Sequence, residues 1–268
     1  MTAFDVMERR IWDGQADAYA RTAARLCAHT VPALLDAAGA GPGTRLLDVG
    51  CGTGNVAAAA LARGASVRAV DAEPDKVAAT RRAAPGAEVR SGTLPQLPYA
   101  DGEFDAVVAN FVLNHVGRPL EALVEMRRVV RPGGTIAVTV WQLPGTPGQT
   151  LVGRAAQAAG LTRPDWLATV DEERNFARTP DGLAALLTAA GLGEVRSTTQ
   201  AWDHRTAPDD WWAGPAAGIG AVGGMVTSAG PEGVTAAKRE YDALCREFLA
   251  DDGLLTLPHA AVLAQGRA

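Results

Sequence analysis

Three glycines at alternate positions, Gly50, Gly52 and Gly54, separate the apolar run Leu46-Leu47-Asp48-Val49 from an alanine-rich stretch that begins at Asn55. Lacking Cβ atoms, such a turn lets a ligand lie against the backbone. A helix opening at Asn55 would aim free N–H groups and its positive dipole end at that ligand. This is nucleotide-site chemistry, and two nucleotides compete for it. The dinucleotide fingerprint G-x-G-x-x-G needs a third glycine where Asn55 stands. Asp48, just before the first glycine, would repel a pyrophosphate but suits an ammonium or sulfonium group. The loop therefore favours S-adenosylmethionine (SAM) over NAD.

Further residues could complete such a site. Asp71 ends the run Val67-Arg68-Ala69-Val70, where a carboxylate can accept both ribose hydroxyls; the competing role is a cap for the helix starting at Pro74. Asn114 and His115 follow another apolar run. If the ligand is SAM and its methyl group is what reacts, the step is an in-line displacement in which a protein chiefly aligns the partners and excludes water. His115 would be the general base if the nucleophile is a hydroxyl or protonated amine, or else a supporting or helix-capping residue. Asn114, which does not titrate, would position. Tyr19 could cover the sulfonium with its ring or hydroxyl, or be a core aromatic. Trp12, Trp141, Trp211 and Trp212 are the candidates for contacts to an apolar acceptor. His204 and His259 have no partner at ligand spacing and read as structural or surface residues, and no metal site is expected.

The elements that must position these residues follow from patterning. Strands are expected at 45–49, 66–70, 87–91, 105–110, 134–141 and 194–203, with a last one between Leu254 and Leu263. Helices are expected at about 55–63, 74–83, 118–130, 149–159, 180–190 and 232–250. The alternation implies an α/β fold, a doubly wound, mostly parallel sheet of seven strands, with ligands at the carboxyl ends of the strands. Residues 1–40 read as helical, with Trp12, Ala16, Tyr19, Ala23 and Leu26 on one stripe. Arg131-Pro132-Gly133-Gly134 reads as a sharp break between helix and strand. Residues 208–230, with Gly218, Gly220, Gly223 and Gly224, read as a mobile, partly apolar segment.

Bulk properties set limits. The 268 residues are 47% hydrophobic with a net charge of −5, enough for a full core and the wrong sign for a nucleic-acid partner. Neither a membrane span nor a signal peptide is evident. The three separated cysteines fit a reducing, cytoplasmic setting. A monomer or homodimer acting on a small molecule is expected.

Beyond these readings, the chain resembles the class I SAM-dependent methyltransferases, in their menaquinone/ubiquinone-methyltransferase-like branch. The resemblance rests on Leu47-Asp48-Val49-Gly50-Cys51-Gly52-Thr53-Gly54, on Asp71, on Leu97-Pro98-Tyr99 with Phe104-Asp105-Ala106-Val107, on Leu113-Asn114-His115-Val116, and on Arg131-Pro132-Gly133-Gly134. It covers roughly residues 40–141. It implies a Rossmann-like core at 41–141, an N-terminal helical cap at 1–40, a helical and loop cap with the sixth strand at 142–230, and a helix and last strand at 231–268. It also implies that Gly50, Cys51, Gly52 and Gly54 wrap the methionine part of SAM, with Asp48 near its amino group and Asn55 at the helix start. Asp71 would hold the ribose, Ala72 flank the adenine, and the Asn110 backbone face the amino-acid end. Where the family commonly has Gly-Asp-Ala beside the adenine, this chain has Gly92-Thr93-Leu94, whose hydroxyl is a weaker, neutral acceptor. The implied activity is methyl transfer to O, N or C of a small acceptor, such as a natural-product intermediate, with release of S-adenosylhomocysteine. Cyclisation chemistry on the same fold, or a SAM-sensing module without turnover, are the rivals.

Overall fold

A computed structural model describes all residues from Met1 to Ala268. Four short helices open the chain: α1 (Ala3–Trp12), α2 (Ala16–Arg21), α3 (Ala23–Cys27) and α4 (Val31–Ala37). The alternation then gives β1 (Arg45–Val49), α5 (Asn55–Ala62), β2 (Ser66–Asp71), α6 (Pro74–Ala83), β3 (Glu88–Ser91), β4 (Phe104–Asn110), α7 (Pro119–Val129) and β5 (Val130–Trp141). The second half supplies α8 (Pro147–Ala158), α9 (Pro180–Ala189), β6 (Gly193–Thr206), α10 (Pro208–Ala216), α11 (Gly220–Ser228), α12 (Gly230–Cys245) and β7 (Leu255–Arg267). None of these helices is long and apolar enough to cross a membrane.

The strands form one seven-stranded sheet in the order β3-β2-β1-β4-β5-β7-β6. The first five pair parallel, and β7 runs antiparallel to both β5 and β6. The order reverses between β1 and β4, so the loops after these two strands diverge and leave a crevice at their carboxyl ends. Apolar runs such as Ala106-Val107-Val108-Ala109 are buried on both sides, as a sheet covered on two faces requires. On one face α7 and α9 bury Leu123, Met126, Leu183 and Leu187 against Val107, Ile136 and Val138. On the other, α4 and α5 bury Leu34, Leu35, Ala57 and Ala60 against Leu46, Ala69 and Val108. Each large aliphatic side chain so buried contributes about 1.5–3 kcal/mol.

Three departures from the sequence reading have clear causes. The N-terminal stripe is not one helix: the chain breaks at Gly14, with φ at +68°, and again at Thr22. Residues 131–134 do not precede β5 but bulge within it, since Phe104 pairs with Val130 while Ala106 pairs with Thr135. Residues 208–230 are not an irregular segment but α10 and α11, whose Trp212 and Val226 are buried in a third core with Tyr241, Leu151 and Leu257. Their glycines allow close approach. A Cβ on Gly223 would meet the Gly218 backbone at 2.6 Å, and one on Gly224 the Trp166 ring at 2.9 Å.

Candidate active site

The crevice at the switch point opens into a cavity of about 1250 Å³ whose floor is the loop after β1. Gly50, Gly52 and Gly54 all take left-handed φ angles of 67°, 56° and 93°, which any other residue would hold only under strain. A Cβ on Gly50 would come within 2.5 Å of Val112, and one on Gly52 within 3.3 Å of the Tyr19 ring. The loop is pinned from beneath. The N–H groups of Gly50 and Cys51 donate to the Val70 carbonyl at 2.8 and 3.1 Å. The Gly52 N–H donates to Asp71 Oδ2 at 2.8 Å, and its carbonyl accepts from Thr80 Oγ1 at 2.9 Å. Gly54 turns away from the cavity to let α5 approach Thr80 and Ala83 of α6.

Asp71 lies at the end of β2 on the cavity wall, 7% exposed. Its Oδ1 accepts the Glu73 N–H at 3.0 Å, and Glu73, not Asp71, occupies the cap position of α6. Ala72, Gly92, Thr93 and Leu94 continue the same wall. At the end of β4 Asn110 lines the cavity, and its side chain is held in place. Its Oδ1 accepts from Thr30 and Thr139 hydroxyls at 2.7 and 2.6 Å, and its Nδ2 donates to the Cys27 carbonyl at 3.0 Å. Phe111 follows with φ at +58°, a strained geometry that stacks its ring on Trp141 at 4.0 Å.

The first two helices form a strap across the cavity. Asp5 Oδ1 accepts the Gly117 N–H at 2.7 Å, and Asp75 Oδ2 accepts the Ala16 N–H at 2.8 Å. Between these anchors Glu8 Oε2 accepts from both Trp12 Nε1 and His115 Nδ1 at 2.8 Å. Burial acts to raise the Glu8 carboxyl, but His115, Trp12 and Lys76 together bring it below its ordinary value. Because Nδ1 is committed to Glu8, a neutral His115 presents Nε2 as an open base. Trp12 packs edge-on against both Tyr19 and His115, at 5.6 and 5.2 Å between ring centres. The Lys76 ammonium sits 4.1 Å from the centre of the Trp12 ring, in cation–π range. Burial lowers the Lys76 pKa against the pull of Asp71, Glu73, Asp75 and Glu8.

Several expected site residues do not reach the cavity. Asp48 is 1% exposed beneath the glycine loop, and neither carboxylate oxygen has a hydrogen-bond partner. Burial, and then the charge of Asp71, pushes its pKa up to about 7. Cys51 and Asn55 also face inward: Cys51 packs in the α4–α5 core, and Asn55 Nδ2 donates to the Ala24 carbonyl at 2.9 Å. Asn114 and His115 share one short 3₁₀ turn, whose successive side chains diverge by about 120°. His115 thus lines the cavity while Asn114 is buried with both amide atoms unpartnered. Trp211 and Trp212 diverge similarly on α10; Trp211 lines the cavity and Trp212 packs on Tyr241 at 5.1 Å. His204 and His259 are neither isolated nor on the surface. They are 7% and 2% exposed and gather with His29, Trp141, Trp202 and Trp211.

Sequence reasoning missed Glu8, Lys76 and His29. The spacing Glu8 to Trp12 is one helical turn and placed both on the Tyr19 side, a usable signal. Nothing local marks His29, because only the turn after α3 and the β6–β7 register bring it to its partners.

Residues 47–138 match the methyltransferase domain family. An uncharacterized protein of Mycobacterium tuberculosis is 32% identical over 247 residues, spanning 87% of this chain and 85% of that protein. A demethylmenaquinone methyltransferase of Beutenbergia cavernae is 37% identical over 59% of the chain and 70% of its own length. The chain belongs to the class I SAM-dependent methyltransferases. Among solved structures, a SAM-dependent methyltransferase of Thermotoga maritima shares the fold with a TM-score of 0.57 at 17% identity, over 97% and 99% of the two chains. The cofactor is SAM, and the residues present fit it. The cradle over Gly50 and Gly52 leaves no room for a Cβ, and the cavity is lined by more acidic than basic side chains, Asp71, Glu73 and Glu8 with Lys76 and Arg9 among them. That charge suits a sulfonium and opposes a pyrophosphate.

Proposed function

We propose that this methyltransferase acts on O, N or C of a small molecule bound beside the cofactor in the one cavity, with the strap closed over both. The observation that carries this reading is the continuity of the cavity from the glycine cradle to the aromatic wall of Trp141 and Trp211. Gly50 and Gly52 would receive the methionine part of SAM, Asp71 the ribose hydroxyls, and Thr93 with Leu94 the adenine edge. SAM supplies the methyl group when bound. Tyr19, lying over Gly52, covers the cradle on the side where the sulfonium would sit. The Glu8–His115 pair gives the site a base oriented by a buried carboxylate, the arrangement that lets imidazole take a proton from an attacking hydroxyl or ammonium. Trp12 and Trp141 would flank the acceptor, and the closed strap would exclude water.

The test is formation of S-adenosylhomocysteine from SAM with panels of phenols, amines and activated carbon acids. His115→Ala is expected to lower kcat about 100-fold and leave the SAM dissociation constant within twofold. Unchanged turnover in that variant would leave alignment alone as the mechanism. Tight SAM binding without turnover on any acceptor would overturn the reading.

A further inference from the structure

The far end of the cavity holds a pair of polar side chains that the reaction at the cradle does not use. His259 lies on β7, directly opposite Trp202 of β6 and two residues from Ala261, which pairs with Trp141 of β5. With the period-two alternation of strands, Trp141, His259, Trp202 and His204 share one sheet face. His259 Nδ1 lies 2.9 Å from the Leu257 carbonyl, and because a carbonyl only accepts, that nitrogen carries the proton. Burial pushes the imidazole down to about 4, with His204 and His29 acting in the same direction, so the ring is neutral near pH 7. Its Nε2 is therefore an open acceptor, has no partner in the protein, and belongs to a residue on the cavity wall.

Gln149 supplies the complement. Its Oε1 accepts two backbone N–H groups, Thr146 at 3.1 Å and Ala260 at 3.2 Å. Both are donors only, which fixes the amide orientation and leaves the NH₂ as the free end. Gln149 lines the same cavity, and its bond to Ala260, the residue after His259, puts both side chains in one corner. The planes of Trp141 and Trp211 border that corner, with Trp211 edge-on to His259 at 5.4 Å between ring centres. The three histidines themselves are not arranged to hold a metal ion.

We propose that His259 and Gln149 together recognise a hydroxyl group on the acceptor, His259 Nε2 accepting its proton and the Gln149 amide donating to its oxygen. The two are specificity-determining residues at the end of the acceptor remote from the methylated atom. β7 lies two strand spacings from β4, about 10 Å, whereas the cradle follows β1. The ligand class is a neutral, flat acceptor roughly two fused rings long, with a hydroxyl at its far end. No lysine or arginine is among the groups acting on His259, so an anion gains no charge partner there. The inference rests on the acceptor site proposed above.

Matched naphthols test it in the full-length protein saturated with S-adenosylhomocysteine, by calorimetric titration. The probes are 2-naphthol, 2,6-dihydroxynaphthalene and 6-methoxy-2-naphthol. The dihydroxy compound is expected to bind about tenfold more tightly than 2-naphthol, the size of one net hydrogen bond or slightly more. The methoxy compound, which cannot donate, should lose most of that gain. In His259→Phe the gain should vanish while 2-naphthol binding is kept. Equal affinity of the three probes for the wild type, no binding of any, or a gain that survives in His259→Phe would overturn the proposal. The wild-type comparison decides even if the variant fails to fold. Because binding is read without turnover, its failure is distinct from failure of the methyl-transfer reading, which the S-adenosylhomocysteine assay addresses.

Discussion

Asp71 carries two loads, and its replacement should show both. It holds the Gly52 and Glu73 N–H groups from below and faces the cavity where ribose hydroxyls would bind. Asp71→Ala is expected to weaken SAM binding at least tenfold by calorimetry and to lower the melting temperature; unchanged affinity would remove the ribose role. Asp48 behaves differently. Its pKa is raised to about 7 by burial, so its charged form opposes folding, a penalty absent below about pH 4 that builds as pH rises to about 7. Asp48→Asn should therefore raise the melting temperature of the ligand-free protein at pH 8, and the gain should shrink toward pH 5. A gain independent of pH would refute the account. At this scale the sequence was informative where spacing dictates backbone. Gly50, Gly52 and Asp71 lie where the loop-after-strand pattern placed them, but whether a neighbour faces the cavity or the core was not legible. Asp48, Asn114 and Trp212 each sit beside a cavity residue and point away from it, because one step along a strand, a 3₁₀ turn or a helix rotates the side chain by 100° to 180°.

Among the elements, the core strands were readable because a parallel sheet covered on both faces writes itself as uninterrupted apolar runs. The cap was not. Four glycines within seven residues, Gly218 to Gly224, read as a mobile segment, yet Gly223 and Gly224 are close contact points of α11 with the Gly218 backbone and the Trp166 ring. Glycine signals both freedom and close approach, and only the partner tells which. Gly224→Val is expected to cost about 1–3 kcal/mol by overpacking, read as a shift of the urea midpoint. Gly220→Ala, where a Cβ would meet nothing within 4 Å, should cost only the strain of its positive φ, about 1 kcal/mol. Equal and small effects at both positions would mean that the segment does not pack as described.

For the whole molecule, residues from positions 29, 204 and 259 meet in one aromatic cluster, His204 and His259 buried and His29 at its exposed edge, that no local pattern announces. Only the β6–β7 register and the turn after α3 bring them together. His204 and His259 are both pushed down to about 4, mainly by burial, with His29 and, for His204, Arg25 adding repulsion. The unfolded chain takes up these protons first, at its ordinary value near 6.5. The stability these neutral rings allow is therefore complete above about pH 6.5 and declines as pH falls toward 4. In Asp48→Asn, where the opposing carboxylate is gone, urea midpoints should rise from pH 4.5 to 6.5 and then level. A flat profile across that range would contradict the burial of the pair.

The strap has a kinetic meaning. Its anchors at Gly117 and Asp75 straddle a single cavity, so on the acceptor site proposed above donor and acceptor would share one doorway. An acceptor seated beside the strap would bar the route to the cradle beneath Tyr19. Binding would then be ordered, cofactor first and its demethylated product last, and product-inhibition kinetics would read that order. Gly14, left-handed and with open space where a Cβ would be, is the joint at which such a strap would swing.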